Sequence, residues 1–173
     1  MGLQPLAAQP FHTLSEISSH HIVRQLVPLS DGGYFVVGSC TDVEDYGDEY
    51  ITADIFALRL AANGTLRYHT QFGNQKGDYT YGAAEGANGT TWLVSRSEGK
   101  PSARTTPDYG RSDAWLVQLD ASGQRVRQLA YGTNGEDYPA YLGNLPNGHL
   151  LLALVVEYGR GHSAALQAAP NSI

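Results

Sequence analysis

Two stretches of this chain repeat one pattern and decide the fold: DIFALRLAANG at residues 54–64 and DAWLVQLDASG at residues 113–123. In the first stretch Phe56, Leu58 and Leu60 share one face of an extended chain, which is the two-residue period of a β-strand. The Asn-Gly or Ser-Gly pair that closes each stretch predicts a turn into a further strand. These two stretches therefore predict equivalent strands in two equivalent units.

A second marker extends the repeat to three units. It occurs as DGGYFVV at residues 31–37, NGTTWLV at 88–94 and NGHLLLA at 147–153. The residues ten positions before these markers are His21, Asp78 and Asp137. Because the markers keep their order and spacing along the chain, the sequence is a tandem repeat with a unit of about 59 residues.

Each unit predicts four short strands joined by tight turns. The first strand is predicted at 22–29, 79–86 and 138–145, the second at 34–39, 91–96 and 150–156, and the fourth at 65–72 and 124–131. An Asp-Gly or Asn-Gly pair between the first two strands predicts a primed hairpin turn, because these residues accept positive φ angles. The second strand is apolar at consecutive positions, so we expect both of its faces to be covered. Trp92 and Trp115 lie within predicted strands and are expected in the core.

The repeat resembles the bacterial propellers whose blades read D-x-[W/F]-[L/V]-x-x-L-D-x-x-G, then an aromatic-Gly pair, an Asp and D-G-G-Y. The residues that carry the resemblance are Asp113, Trp115, Leu119, Asp120, Gly123, Tyr131, Gly132, Asp137 and Asp31 to Tyr34. The resemblance implies an all-β fold of four-stranded antiparallel blades, about three blade equivalents in all. It identifies a fold type and implies no particular activity.

The ends of the chain depart from a simple array. We expect a flexible segment at residues 1–10 and one repeat domain at 11–173, with repeats of about 21–77, 78–136 and 137–173. Phe11–Ser15 falls where a fourth strand would precede the first unit, and His162–Ala169 is the candidate third strand of the last unit. Joining the ends would give three blades, whereas propellers typically have 4–8. A partial propeller, or two chains forming a six-bladed ring, is therefore favoured over a closed three-bladed monomer, and a fragment of a longer array stays open.

Composition excludes several classes of protein. Charged residues are 16% and hydrophobic residues 42% of the chain, which excludes a disordered sequence. The net charge of −6 argues against a nucleic-acid partner, and no apolar run reaches the ~20 residues of a membrane helix. The single cysteine, Cys40, excludes an internal disulfide framework and is expected to be a small buried hydrophobe. Residues 1–10 do not show the basic and continuous apolar regions of a secretory signal, so a cytoplasmic chain and a mature extracytoplasmic segment both stay open, and we expect the extracytoplasmic one.

Metal and cofactor signals are weak. Five carboxylates lie between Asp42 and Glu49, and calcium prefers such oxygen ligands. The equivalent loop at residues 97–112 is basic, so we favour a solvated acidic loop over a calcium site repeated in each unit. The histidines lack the spacing of a metal pair, and no nucleotide fingerprint or hydrolase motif occurs. We therefore expect no metal and no cofactor.

The candidate ligand-binding residues are the repeated acids and the tyrosines that surround them: Asp78, Tyr79, Tyr81, Asp137, Tyr138 and Tyr141. Aromatic faces beside carboxylates suit sugar rings, which combine apolar stacking with hydrogen bonds. For the two aspartates we favour a role in accepting backbone N–H bonds within a turn. For the tyrosines we favour packing between units.

Three functions follow from this pattern. The first is a non-catalytic binding or assembly module that presents loops to a protein or glycan partner and self-associates, without membrane insertion. The second is an enzyme of the glycoside hydrolase kind that uses paired carboxylates in a propeller channel, with Asp54, Asp78, Asp113 and Asp137 as the repeated candidates. The third is a structural fragment that acts only by associating with itself.

Overall fold

The computed structural model describes residues 20–41, 53–73, 76–98 and 108–156. Over these residues the chain is a succession of ten antiparallel strands and one short 3-10 turn at Ala87–Gly89. The strands are β1 His20–Pro28, β2 Tyr34–Thr41, β3 Asp54–Leu60, β4 Leu66–Phe72, β5 Asp78–Glu85, β6 Thr91–Glu98, β7 Ser112–Leu119, β8 Arg125–Tyr131, β9 Asp137–Asn144 and β10 Leu150–Val156. The all-β prediction is confirmed.

The strands form three sheets that follow the three sequence repeats. Sheet 1 has the order β1-β2-β3-β4, sheet 2 the order β5-β6-β7-β8, and sheet 3 pairs β9 with β10. Every pairing within a sheet is between chain neighbours and is antiparallel. The predicted four-stranded antiparallel units are therefore present in the first two repeats. The segments Phe11–Ser15 and His162–Ala169 lie outside the described residues.

Irregularities in the strands recur at equivalent positions of the repeat. The first strand of each sheet carries a β-bulge, and the residue that the pairing skips is Arg24, Tyr81 or Ala140. A bulge inserts one unpaired residue and bends the strand. These three residues occupy one position of the tandem repeat, so the repeat extends to the local bends of the backbone.

The turns correct one prediction. Only the turn after β5 has two consecutive residues with positive φ, Asn88 and Gly89, as a primed turn requires. In the equivalent turns only Gly32 and Gly148 have positive φ, and each of these glycines donates to a carbonyl three residues back. The primed-turn prediction is therefore wrong for these two turns. A three-residue loop, in which one left-handed glycine follows a tight turn, joins their strands instead.

The core lies between successive sheets. On one side of sheet 2, Trp115 is 0% exposed and its ring meets Phe72 of sheet 1 edge-on at 5.7 Å between centroids. On the other side, Trp92 is 1% exposed and packs in a cluster with Leu142 of sheet 3. Both tryptophans are therefore core residues, as predicted. Cys40 is also buried, and its thiol donates to the carbonyl of Asp54, which confirms its expected role as a buried side chain.

Side chains of sheet 1 satisfy the free edge of β5. The Gln25 amide oxygen accepts from the Ala83 backbone N–H at 2.8 Å, and the Ser39 hydroxyl accepts from the Thr80 N–H at 2.9 Å. The Thr80 hydroxyl donates to the carbonyl of Gly38 at 2.6 Å. An unpaired strand edge is open to other chains, and these bonds close it inside the molecule.

Candidate functional site

A group of charged and aromatic side chains lies on the surface between sheets 2 and 3. It consists of Tyr79 at the start of β5, Arg96 and Glu98 at the end of β6, Glu136 just before β9, and Tyr138 at the start of β9. We call these five residues the tyrosine–arginine cluster. Antiparallel pairing places Tyr79 directly opposite Arg96, whereas Glu136 and Tyr138 lie where the chain enters sheet 3. The cluster therefore requires both the hairpin and the packing of two sheets.

Arg96 is the centre of the cluster. Its guanidinium carbon lies 4.8 Å from the centre of the Tyr138 ring, within the range of a cation–π contact. One terminal nitrogen lies 2.9 Å from the Glu98 carboxylate and 3.6 Å from that of Glu136. The Tyr138 hydroxyl also donates a hydrogen bond to Glu136. Two carboxylates and two aromatic rings are thus arranged around one cation.

Two features of the cluster bear on ligand binding. The Nε atom of Arg96 is buried and has no hydrogen-bond partner within the described part of the chain, so one strong donor is left unused. Burial, and then the negative charge of Glu98, raise the pKa of Tyr79 above the ordinary tyrosine value. The phenol therefore stays neutral at physiological pH and can both donate and accept hydrogen bonds.

Asp78 and Asp137, the repeated acids of the sequence analysis, lie inside the fold. Both are 0% exposed, and the Asp137 carboxylate accepts hydrogen bonds from the backbone N–H and the hydroxyl of Thr133. Each lies next to a second repeated aspartate across a glycine. An ideal Cβ built at Gly132 would lie 2.1 Å from an Asp113 oxygen and 3.0 Å from an Asp137 oxygen, so this crowded corner admits only glycine.

Gly73, Asp54 and Asp78 form the equivalent arrangement one repeat earlier in the chain. An ideal Cβ at Gly73 would lie 1.9 Å from Asp54 and 3.0 Å from Asp78. The Asp78 backbone N–H donates to the carbonyl of Ala53 at 2.6 Å, which ties the start of β5 to the start of β3. The four repeated aspartates thus form two equivalent pairs, in which Asp54 is partly buried and the other three are fully buried.

The remaining predicted tyrosines lie outside the cluster. Tyr81 is the bulged residue of β5, and the guanidinium carbon of Arg24 lies 5.6 Å from the centre of its ring. Tyr141 lies in the middle of β9 opposite Ala153, and it is 54% exposed. The structure therefore brings together two of the six predicted residues, Tyr79 and Tyr138.

Sequence reasoning missed Arg96, Glu98 and Glu136. Counting outward from the Asn88-Gly89 turn places Arg96 opposite Thr80 rather than Tyr79, because the bulge at Tyr81 shifts the pairing of β5 with β6. No local pattern marks Glu136 as a partner of Arg96, since the two lie far apart along the chain and meet only where the start of sheet 3 packs on sheet 2.

A cavity of about 670 Å³ lies at the opposite end of the sheets, among the turns that follow β1, β5 and β9. Its wall includes Glu85, Asn88, Asn144 and His149. Glu85 already accepts bonds from the backbone N–H and the hydroxyl of Ser30 at 3.0 and 2.6 Å, and its carbonyl accepts from the Asn144 amide at 2.9 Å. These bonds join the three turns, so the polar groups here hold the sheets together.

The described ranges show no grouping typical of a metal site and no helix that could cross a membrane. Among residues 20–41, 53–73, 76–98 and 108–156, no three histidine, cysteine or acidic side chains are grouped as a metal ion would require. The acidic loop at residues 42–49 lies outside these ranges. Within the same part of the chain, no helix has the length and apolar character to span a bilayer.

The chain matches no protein-family model, and no curated protein matches it.

Proposed function

We propose that the three sheets are successive blades of a β-propeller and that the chain is a non-catalytic module that binds carbohydrate. Three observations support the blade arrangement. The sheets share strand order and bulge positions, and the first strand of each later sheet contacts the sheet before it. A four-stranded sheet with two apolar faces is stable only when another sheet packs on each face. The radial arrangement of a propeller provides these neighbouring sheets.

The tyrosine–arginine cluster is the observation that carries the proposed ligand class. Sugar rings present apolar C–H faces and rims of hydroxyls, so their sites combine aromatic side chains with charged hydrogen-bonding groups. Tyr79 and Tyr138 supply the aromatic surface, while Arg96 and the two glutamates supply donors and acceptors. Two carboxylates against one guanidinium leave a negative balance, which favours a neutral oligosaccharide over an anionic one.

The enzyme alternative has less support. A glycoside hydrolase needs two carboxyl groups on either side of a bond that the substrate brings into an open cleft. Asp78, Asp113 and Asp137 are all 0% exposed, and Asp137 is bonded to Thr133, so a substrate would have no access to them in this arrangement. We therefore place the repeated aspartates in the scaffold and the ligand at the neighbouring cluster.

Binding to an array of neutral and anionic oligosaccharides tests the proposal. We expect a neutral glycan to bind, and Tyr138→Ala to weaken its binding at least tenfold, which corresponds to about 1.4 kcal/mol. Tyr34→Ala is the matched control, since Tyr34 is also half-buried but starts β2 at the opposite end of its sheet. If the Tyr138→Ala variant binds the glycan as tightly as the wild-type chain, the cluster is not the binding site. If the chain captures a protein partner and binds no glycan, the ligand is a protein and not a carbohydrate.

A further inference from the structure

Neighbouring sheets make the same contact twice within the molecule, once between sheets 1 and 2 and once between sheets 2 and 3. Sheet 1 and sheet 3 each expose one of the two surfaces that form this contact. We propose that strand β1 of one copy of this chain docks on the outer face of sheet 3 of a second copy. We define that outer face by the side chains of Tyr141, Leu151, Ala153 and Val155. Only the repeated packing of the sheets supports this interface, so it is independent of carbohydrate binding.

The internal contact shows which elements are complementary. Strand β5 packs against β1, β2 and β3, and strand β9 packs against β5, β6 and β7. In both cases the first strand of one sheet therefore lies on the face of the sheet before it. In β5 the buried side chain at this contact is Ala83, 2% exposed, and in β9 it is Leu142, 4% exposed.

Strand β1 has the same surface, and its side chains there are exposed. Leu26 is the repeat equivalent of Ala83 and Leu142, yet it is 51% exposed. Val23 is 54% exposed, whereas its equivalent in β5, Thr80, is 5% exposed. On the same side of sheet 1, Phe56 is already buried, so β1 is the part that remains open to a partner.

The outer face of sheet 3 is the surface on which β1 of the second copy would pack. Leu151 is 39% exposed, whereas its equivalents Trp92 and Phe35 are 1% and 0% exposed beneath the sheets that follow them. Val155 beside it is 57% exposed. Large apolar side chains grouped on one face of a sheet are typical of an interaction surface rather than of a solvated one.

A second copy of the chain is the partner that fits both halves at once. The two surfaces lie on the first and last sheets, so the contact is head-to-tail, and two copies can make it twice to close a ring. Three sheets from each copy give six, within the usual range for propellers. Because the two contacts form within one closed assembly, each reinforces the other.

Sedimentation analysis of the full chain tests the interface. We expect the wild-type chain to sediment at twice its mass of 18.6 kDa. Val155→Asp and Leu26→Asp should each give a monomer, because a charge would be buried without a partner in the contact. Val126→Asp is the control for Val155→Asp, since Val126 is 55% exposed on β8 outside the proposed contact, and it should leave the dimer intact.

Mixing the two disruptive variants separates a head-to-tail contact from a symmetric one. The Leu26→Asp chain keeps its outer face and the Val155→Asp chain keeps its β1, so a mixed pair has one intact contact and should associate more weakly than the wild-type chain but more strongly than either variant alone. A wild-type monomer, a dimer that survives Leu26→Asp, or a mixture that associates no more strongly than the separate variants at any concentration would overturn the proposal. Far-ultraviolet circular dichroism and thermal unfolding establish that each variant is folded, so a lost dimer is not mistaken for a lost fold.

Discussion

Replacement of Asp137 separates a scaffold role from a ligand-binding role for the repeated aspartates. The side chain is 0% exposed, and its carboxylate accepts bonds from the Thr133 N–H and hydroxyl, with Thr133 itself 4% exposed. Asp137→Ala leaves both donors buried without an acceptor, and each such group costs about 1–3 kcal/mol. We therefore expect a loss of about 3 kcal/mol in the free energy of unfolding. Asp137→Asn keeps one acceptor oxygen and should lose about 1 kcal/mol.

Urea unfolding at neutral pH measures both losses, and the same variants are assayed for binding of the glycan identified on the array. If Asp137 acts only in the scaffold, the folded Asn variant binds with wild-type affinity. The scaffold account fails if Asp137→Ala changes stability by less than about 0.5 kcal/mol, the range of a neutral surface substitution. It also fails if the Asn variant keeps its stability but no longer binds.

Three further predictions concern packing, turn geometry and pH. Trp115→Ala should lower the free energy of unfolding by about 3–5 kcal/mol, whereas Trp115→Phe should cost less, because the phenyl ring leaves a smaller cavity and the indole N–H lost in both variants has no partner in the described residues; urea unfolding that ranks the two variants otherwise contradicts this. Gly123→Ala should lower the melting temperature, since Gly123 has a φ of 86° and an added Cβ would lie 2.6 Å from the Tyr68 ring; an unchanged melting temperature would exclude this steric conflict. Burial, and then the nearby His21, lower the pKa of His69, so the unfolded chain binds more protons below about pH 6.5 and stability should fall as the pH falls through that value. His69→Gln should reduce this pH dependence, and an identical stability profile would assign it to other groups.

The sequence predicted the strands better than the turns. Alternation through Phe56 and Leu58 predicted β3, and the run of apolar residues in β2 and β6 predicted strands covered on both faces. These patterns are readable because side chains on a strand follow a two-residue period. The turn types were predicted less well, because Asp-Gly and Asn-Gly pairs fit both a two-residue primed loop and a three-residue loop with a left-handed glycine.

The candidate site was only half predictable. The sequence predicted Tyr79 and Tyr138 because each follows the aspartate that occupies the same position of the tandem repeat. Both tyrosines lie in the cluster. Arg96 and Glu136 did not stand out, because they lie far apart along the chain and their contact depends on how two sheets pack. Tyr141 was predicted with the others, but it lies further along β9, opposite Ala153, and is 54% exposed.

By itself, the amino-acid order determined that this chain is a tandem of antiparallel β-sheets, because hydrophobic periodicity and glycine-containing turns act over a few neighbouring residues. Tertiary structure alone decided that Asp78 and Asp137 are internal, that Arg96 gathers side chains from two repeats, and that Leu26 and Leu151 are exposed while their equivalents are buried. Burial and contact between repeats depend on which sheet lies next to which. Residues that are close along the chain do not determine which sheets pack together. The same local pattern is therefore buried in one repeat and exposed in another.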